Sequence, residues 1–117
     1  MHEYYLFLSL LHHIEESLAG YPKPKVKRVI LKVGEFSGVE ENYLKDIMET
    51  FKEDTILAEA EILLERDPLR IRCEKCSTET NVQRGTLCPC CGSTEVKIVG
   101  GLDLVLKSIE IEDENLL

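Results

Sequence analysis

The stretch from Cys73 to Cys91 constrains this chain more than any other. It reads C-E-K-C at 73–76 and, after eleven intervening residues, C-P-C-C-G at 88–92. Each C-x-x-C pair, Cys73/Cys76 and Cys88/Cys91, forms a tight knuckle that aims two thiolates at one metal, and two facing knuckles give a tetrahedral sulfur site. Free buried cysteines or a disulfide pair account less well for two such spacings, with Pro89 and Gly92 shaping the second turn. A four-sulfur zinc site is closed to water and substrate, so its expected role is structural.

At 117 residues the chain suits one small domain, or one domain plus a metal module. A core of that size is modest, and a bound zinc contributing roughly 10–16 kcal/mol of apparent folding free energy to a small module would matter. The net charge is -8, from 22 acidic against 14 basic residues, which argues against nucleic acid as a partner. Around the cysteines, Arg70, Arg72, Lys75, Arg84 and Lys97 outnumber Glu74, Glu79 and Glu95 by only two, a surplus that four thiolates on a zinc dication would cancel. No basic leader precedes the first apolar stretch, which Glu3, Glu15 and Glu16 interrupt, and no apolar run approaches a membrane span. Five cysteines, four of them in metal spacing, fit a reducing cytoplasm.

Residues 4–19 place Phe7, Leu10, Leu11, Ile14 and Leu18 at helical spacing, and Gly20 and Pro22 end the pattern. His12 and His13 are adjacent, about 100° apart on a helix, and do not make a chelating pair with each other. From Val26 to Phe36 a β-branched run carries Val29, Leu31 and Val33 on one face, with Gly34 and Ser37-Gly38 closing it. A second helix over 40–53 aligns Leu44, Ile47, Met48 and Phe51. Alternation then resumes over 58–66, with Ala58, Ala60, Ile62 and Leu64 opposite a solvated row of Glu59, Glu61 and Glu65. Arg70–Cys73 and Val96–Val99 flank the knuckles as short extended segments. In the closing run over 102–111 the inward set changes from Leu104 and Leu106 to Ile109 and Ile111, which predicts a bulge or a strand serving two surfaces. These elements predict an α+β fold with two helices on one face of a small three-stranded mixed sheet and an inserted zinc-ribbon module. The division is 1–68 plus 100–117 for the α/β domain and 69–99 for the zinc-binding domain.

Met1-His2-Glu3 is too short to mean much by composition, and a frayed terminus with a chance histidine would explain it. Its chemistry is nonetheless unusual. A free α-amine, the amide nitrogen of residue 2 and the imidazole of His2 can close fused chelate rings, and Glu3 adds an amide or a carboxylate. Divalent nickel favours such tetragonal nitrogen and oxygen ligation. A helix starting near residue 4 would leave nearby N–H groups without intrahelical acceptors, free to yield a proton to a metal.

Met1-His2-Glu3 opening an amphipathic helix, the strand ending Val33-Gly34-Glu35-Phe36-Ser37-Gly38, the two knuckles, and the closing Leu106-Lys107-Ser108-Ile109-Glu110 together resemble the HypA/HybF family of hydrogenase nickel-incorporation proteins. The likeness covers essentially the whole chain. It implies a nickel metallochaperone for maturation of nickel-iron hydrogenase and, in some organisms, urease. Such a protein works with a HypB-type GTPase, the hydrogenase large subunit and urease accessory proteins, and is not an enzyme. Nickel would then be held by Met1, His2 and Glu3, with Glu40 where some members place an extra acidic residue, and zinc by Cys73, Cys76, Cys88 and Cys91. Two departures stand out: Tyr4-Tyr5 differs from the Leu-Ser or Tyr-Ser common there, and Cys90 lies inside the second knuckle, where it could compete for the metal. On the residues themselves two other readings stay open. One is a zinc-ribbon interaction or nucleic-acid module; the other is a rubredoxin-like iron carrier, since C-P-x-C-G also suits iron.

Overall fold

The computed structural model describes residues 2–81 and 88–112. In order these form α1 (Glu3–Ser17), β1 (Lys25–Gly34), α2 (Glu41–Phe51), β2 (Glu61–Asp67), β3 (Arg70–Cys73), β4 (Glu79–Asn81), β5 (Val96–Gly100) and β6 (Leu104–Glu112). The strands make two three-stranded sheets, ordered β2-β1-β6 and β4-β3-β5. The chain divides into two compact units, one of residues 1–31, 40–65 and 106–117, the other of residues 32–39 and 66–105.

In the first unit, α1 buries Phe7, Ile14 and Leu18 at the expected spacing, with Leu10 and Leu11 half-buried between them. The helix stops at Leu18, whose N–H donates to the carbonyls of Ile14 and Glu15, and Ser17 Oγ donates to the carbonyl of His13. Helix α2 turns Leu44 and Met48 inward, and both are fully enclosed. Phe51, expected on the same stripe, is 48 % exposed; at the last helical position its ring lies edge-on to Tyr4 of α1, centroids 5.1 Å apart. Ala58, expected to open the next strand, is exposed in a turn. There Thr55 Oγ1 accepts the Leu57 N–H and donates to the Lys52 carbonyl, so Leu57 tucks into the core and β2 begins only at Glu61.

Ion pairs on the solvated face reveal the strand directions. Lys25 meets Glu59 and Glu112, and Arg28, three residues on, meets Glu61 and Glu110. Numbering rises along β1 and β2 together and falls along β6, so β1 is parallel to β2 and antiparallel to β6, the expected mixed sheet. Along β6 two successive half-buried residues, Ser108 and Ile109, interrupt the alternation, as the change of inward set predicted.

In the second unit β3 is the central strand, antiparallel to both neighbours, with Ile71 opposite Thr80 on β4 and Ile98 on β5. Strand β4 was not foreseen because Glu79-Thr80-Asn81 carries no apolar alternation. Gly34 and Gly101 meet backbone to backbone in this unit: a Cβ on Gly34 would lie 2.7 Å from Gly101, whose φ is +90°. Main-chain bonds from Gly34 N–H to Asp103 and from Phe36 N–H to Gly101 run through this contact.

Candidate metal centres

The two cysteine knuckles are built alike. Cys73 N–H donates to the carbonyl of Thr78, and Ser77 N–H donates back to the carbonyl of Cys73. In the second knuckle Cys88 N–H donates to Ser93 and Gly92 N–H to Cys88, the same two offsets. The fourth residue after each leading cysteine is left-handed, Ser77 at φ 61° and Gly92 at φ 75°. Glycine accepts that conformation without cost, whereas Ser77 is held in it by the turn.

These turns place the Cys73, Cys76, Cys88 and Cys91 sulfurs within 4.8 Å of one another. Cys73 and Cys91 Sγ are 3.5 Å apart, and Cys76 and Cys88 Sγ are 3.6 Å apart. A tetrahedron with zinc–sulfur bonds of about 2.3 Å has edges of roughly 3.8 Å. The four sulfurs are therefore already at zinc-binding distances, and an all-thiolate set of four fits a closed zinc site. Main-chain N–H groups of Lys75 and Cys76 point at Cys73 Sγ, each at 3.4 Å, and would stabilise thiolate there.

Without a cation, four thiols this close cannot all ionise. The hydroxyl and then the backbone of Thr78 pull Cys76 down to about 6. The N–H groups of Cys91 and, after burial works against them, Cys90 hold Cys88 below the ordinary thiol range. At Cys91 the Ser93 backbone pulls downward, but Cys73, burial, Cys88 and Cys76 together outweigh it and push the thiol up to about 12. Cys90 is exposed and outside the four-sulfur group. The Thr78 hydroxyl, 3.2 Å from Cys76 Sγ, is a supporting residue that C-x-x-C spacing does not reveal.

At the other end of the sequence Met1 lies outside the described residues. His2 is the N-cap of α1: its carbonyl accepts from Leu6 N–H at 3.0 Å, its side chain makes no capping bond, and it is exposed. Glu3, the first helical residue, is only 2 % exposed, and it is the one buried charged side chain among the described residues. Its Oε2 accepts the Glu40 N–H at 3.4 Å. Glu40 in turn caps α2, its carboxylate accepting the Tyr43 N–H. Glu3 and Glu40 are thus brought together, through a backbone amide of one and a carboxylate of the other. The burial of Glu3 was readable by extending the α1 stripe one turn back from Phe7. His12, apart from His13 on the helix surface, pairs with Glu16 at 3.0 Å.

Fold and site define a small α+β protein with a four-cysteine zinc module and a first helix that opens on His2 and Glu3. A family model described as hydrogenase/urease nickel incorporation, metallochaperone, HypA, matches residues 1–111. The hydrogenase maturation factor HypA of Aquifex aeolicus is 38 % identical over 113 residues, covering 96 % of this chain and 98 % of that one. Its counterpart in Wolinella succinogenes is 35 % identical over 118 residues, covering 98 % of both. The solution structure of the nickel metallochaperone HypA from Helicobacter pylori superposes with a TM-score of 0.69 at 27 % identity, covering 97 % of this chain and all of that one. The chain belongs to the HypA family of hydrogenase-maturation nickel metallochaperones. Membership sets aside the nucleic-acid and iron-carrier readings that the cysteine spacing left open.

Proposed function

We propose that this chain carries Ni(II) at its N-terminus and hands it on during maturation of nickel-iron hydrogenase, and of urease where that enzyme is served. The donors are the Met1 amine, the His2 imidazole and backbone nitrogen, and Glu3 through its amide or side chain, with Glu40 an additional acidic candidate. The observation that carries this reading is the state of His2: an exposed imidazole at the N-cap of α1, uncommitted to capping. Nickel must displace protons from the amine, the imidazole and any amide it uses, so affinity falls as pH falls. Few, accessible donors allow release by ligand exchange.

Residues 1–68 plus 100–117 form the nickel-binding part and residues 69–99 the zinc-binding part, with zinc on Cys73, Cys76, Cys88 and Cys91. The protein is a cytoplasmic carrier and not a catalyst, since the four-sulfur site offers no open coordination position. No helix among the described residues is long and apolar enough to cross a membrane. Its partners are a HypB-type GTPase, the hydrogenase large subunit and, for urease, its accessory proteins. Calorimetric titration of untagged protein with nickel tests the site. His2→Ala, or residues added before Met1, should abolish binding while zinc content and fold persist; unchanged affinity in either variant refutes the assignment.

A further inference from the structure

We propose that the outer edge of β5 is a docking site for an extended segment of a partner protein that alternates acidic and apolar side chains and adds to the β4-β3-β5 sheet as a fourth strand. The site lies in the unit that holds the four cysteines and needs no nickel. Strand β5 has a neighbour, β3, on one side only. The register says which of its backbone groups face the other way. Ile71 stands opposite Ile98, Arg72 opposite Lys97 and Cys73 opposite Val96, and one step further the Glu74 N–H donates to the Glu95 carbonyl. Bonded and non-bonded pairs alternate along an antiparallel ladder, so Arg72 and Lys97 exchange bonds while Ile71/Ile98 and Cys73/Val96 do not. The N–H and C=O groups of Val96 and Ile98 therefore face away from β3. Thr94 takes the Val96 N–H at 3.1 Å, whereas the Val96 carbonyl and both groups of Ile98 have no backbone partner among the described residues. The other outer strands offer less. Lys45 Nζ occupies the Ile62 carbonyl of β2 and Lys52 Nζ the Ala60 carbonyl just before it, and β4 is only three polar residues long.

The side chains along this edge select the occupant. Ile98 is 45 % exposed on the face it shares with Ile71, a place for an apolar residue of the added strand. On the opposite face the half of the edge from Lys97 to Gly100 is cationic. Lys97 points to solvent, 75 % exposed, and its pair with Glu74 at 3.3 Å is a weak surface contact. Arg70 reaches across from β3 and lies over Gly100: a Cβ there would stand 2.3 Å from its Nη2 and 2.7 Å from its Nε. Carboxylates on this face stand off that half of the edge, Glu79 on β4 beyond β3 and Glu95 before the strand begins. An added strand has a non-bonded position opposite Lys97, where facing side chains come closest, so an acidic residue is favoured there and a basic one opposed. A second copy of β5 fits less well. Centred on Val96 it would set Glu95 against Lys97, but only by taking the N–H that Thr94 already holds; centred on Ile98 it offers Lys97 nothing but Val99.

The probe is a blocked heptapeptide alternating glutamate and valine, titrated into the whole zinc-loaded chain and followed through its backbone amide resonances. Binding should shift Val96–Gly100 and slow hydrogen exchange at the Ile98 amide, and the same peptide with lysine in place of glutamate should bind about 10-fold more weakly. Lys97→Glu should weaken the glutamate peptide by about 10-fold, the effect of turning one facing attraction into a repulsion. Ile98→Pro should abolish binding, since it deletes an N–H that the β3 ladder does not use, while zinc content persists. Absence of shifts at millimolar peptide, equal affinity for both peptides, or binding that survives Ile98→Pro overturns the proposal. Unchanged affinity in Lys97→Glu overturns it too, whatever the proline does to the sheet. Self-association of the peptide-free protein that Ile98→Pro abolishes would give the edge to a second copy and end the case for an acidic partner.

Discussion

At the residue scale the zinc knuckles give the sharpest expectations, because two sequences adopt one geometry with different chemistry at the left-handed position. Ser77→Gly should raise stability by up to about 1 kcal/mol, and Gly92→Ala should lower it by about the same amount, both read by denaturant unfolding of the zinc-loaded protein. The sulfurs also predict a pH dependence. In the metal-free site Cys76 sits at about 6 and Cys91 at about 12, so near neutrality at least Cys91 must lose its proton when zinc binds. Zinc affinity therefore falls as pH falls, more steeply below about 6, where Cys76 must shed a proton too. Competition with a chromophoric chelator across that range measures the slope. The cluster of four cysteines was legible because C-x-x-C spacing is a covalent constraint on a short turn. Thr78 was not, since a threonine two residues past a cysteine has no distinctive pattern until the chain folds back on it. Glu3 lies between these cases: a helical stripe that passes Phe7, Ile14 and Leu18 continues to residue 3, but a carboxylate there reads as the polar end of a helix.

Among the elements, the helices and central strands were legible from periodicity, and their interiors carry the stability. Ile14→Ala, at a fully enclosed site of α1, should cost about 2–5 kcal/mol, whereas Phe51→Ala, at a half-exposed helix end, should cost much less; chemical denaturation separates the two. Glu40→Ala should cost about 1 kcal/mol through loss of the α2 cap, and an aspartate there should recover part of it. Boundaries were less legible for physical reasons that differ by site. Ala58 continues an alternating pattern on paper, but the Thr55 hydroxyl closes a turn that takes the backbone bonds a strand would need. Strand β4 exists because β3 offers it a pairing edge, not because Glu79-Thr80-Asn81 favours extension. The change of half-buried face along β6 was legible because the two apolar pairs, Leu104/Leu106 and Ile109/Ile111, are out of phase by one residue.

For the whole molecule, metal and core are separate sources of order. Chelation of zinc should release amide protection first in Arg70–Cys73, Glu79–Asn81 and Val96–Gly100, where Ile71 is the main enclosed side chain, as hydrogen exchange would show. The mixed sheet was legible as an expectation, while the cross-strand ion pairs follow no pattern that the sequence announces. Those pairs have a consequence beyond the fold. Lys25 and Arg28 on the central strand each hold carboxylates from both sides, and Lys107 reaches over that strand to Glu65. Each exposed pair contributes little to stability. Together they set acidic and basic side chains side by side on β2 and β6, the two outer strands of the sheet, and charged groups on an outer strand disfavour pairing with another chain. That protection is weakest where the chain carries no net charge: near the isoelectric point of about 4.9 solubility should reach its minimum, which turbidity measured against pH checks.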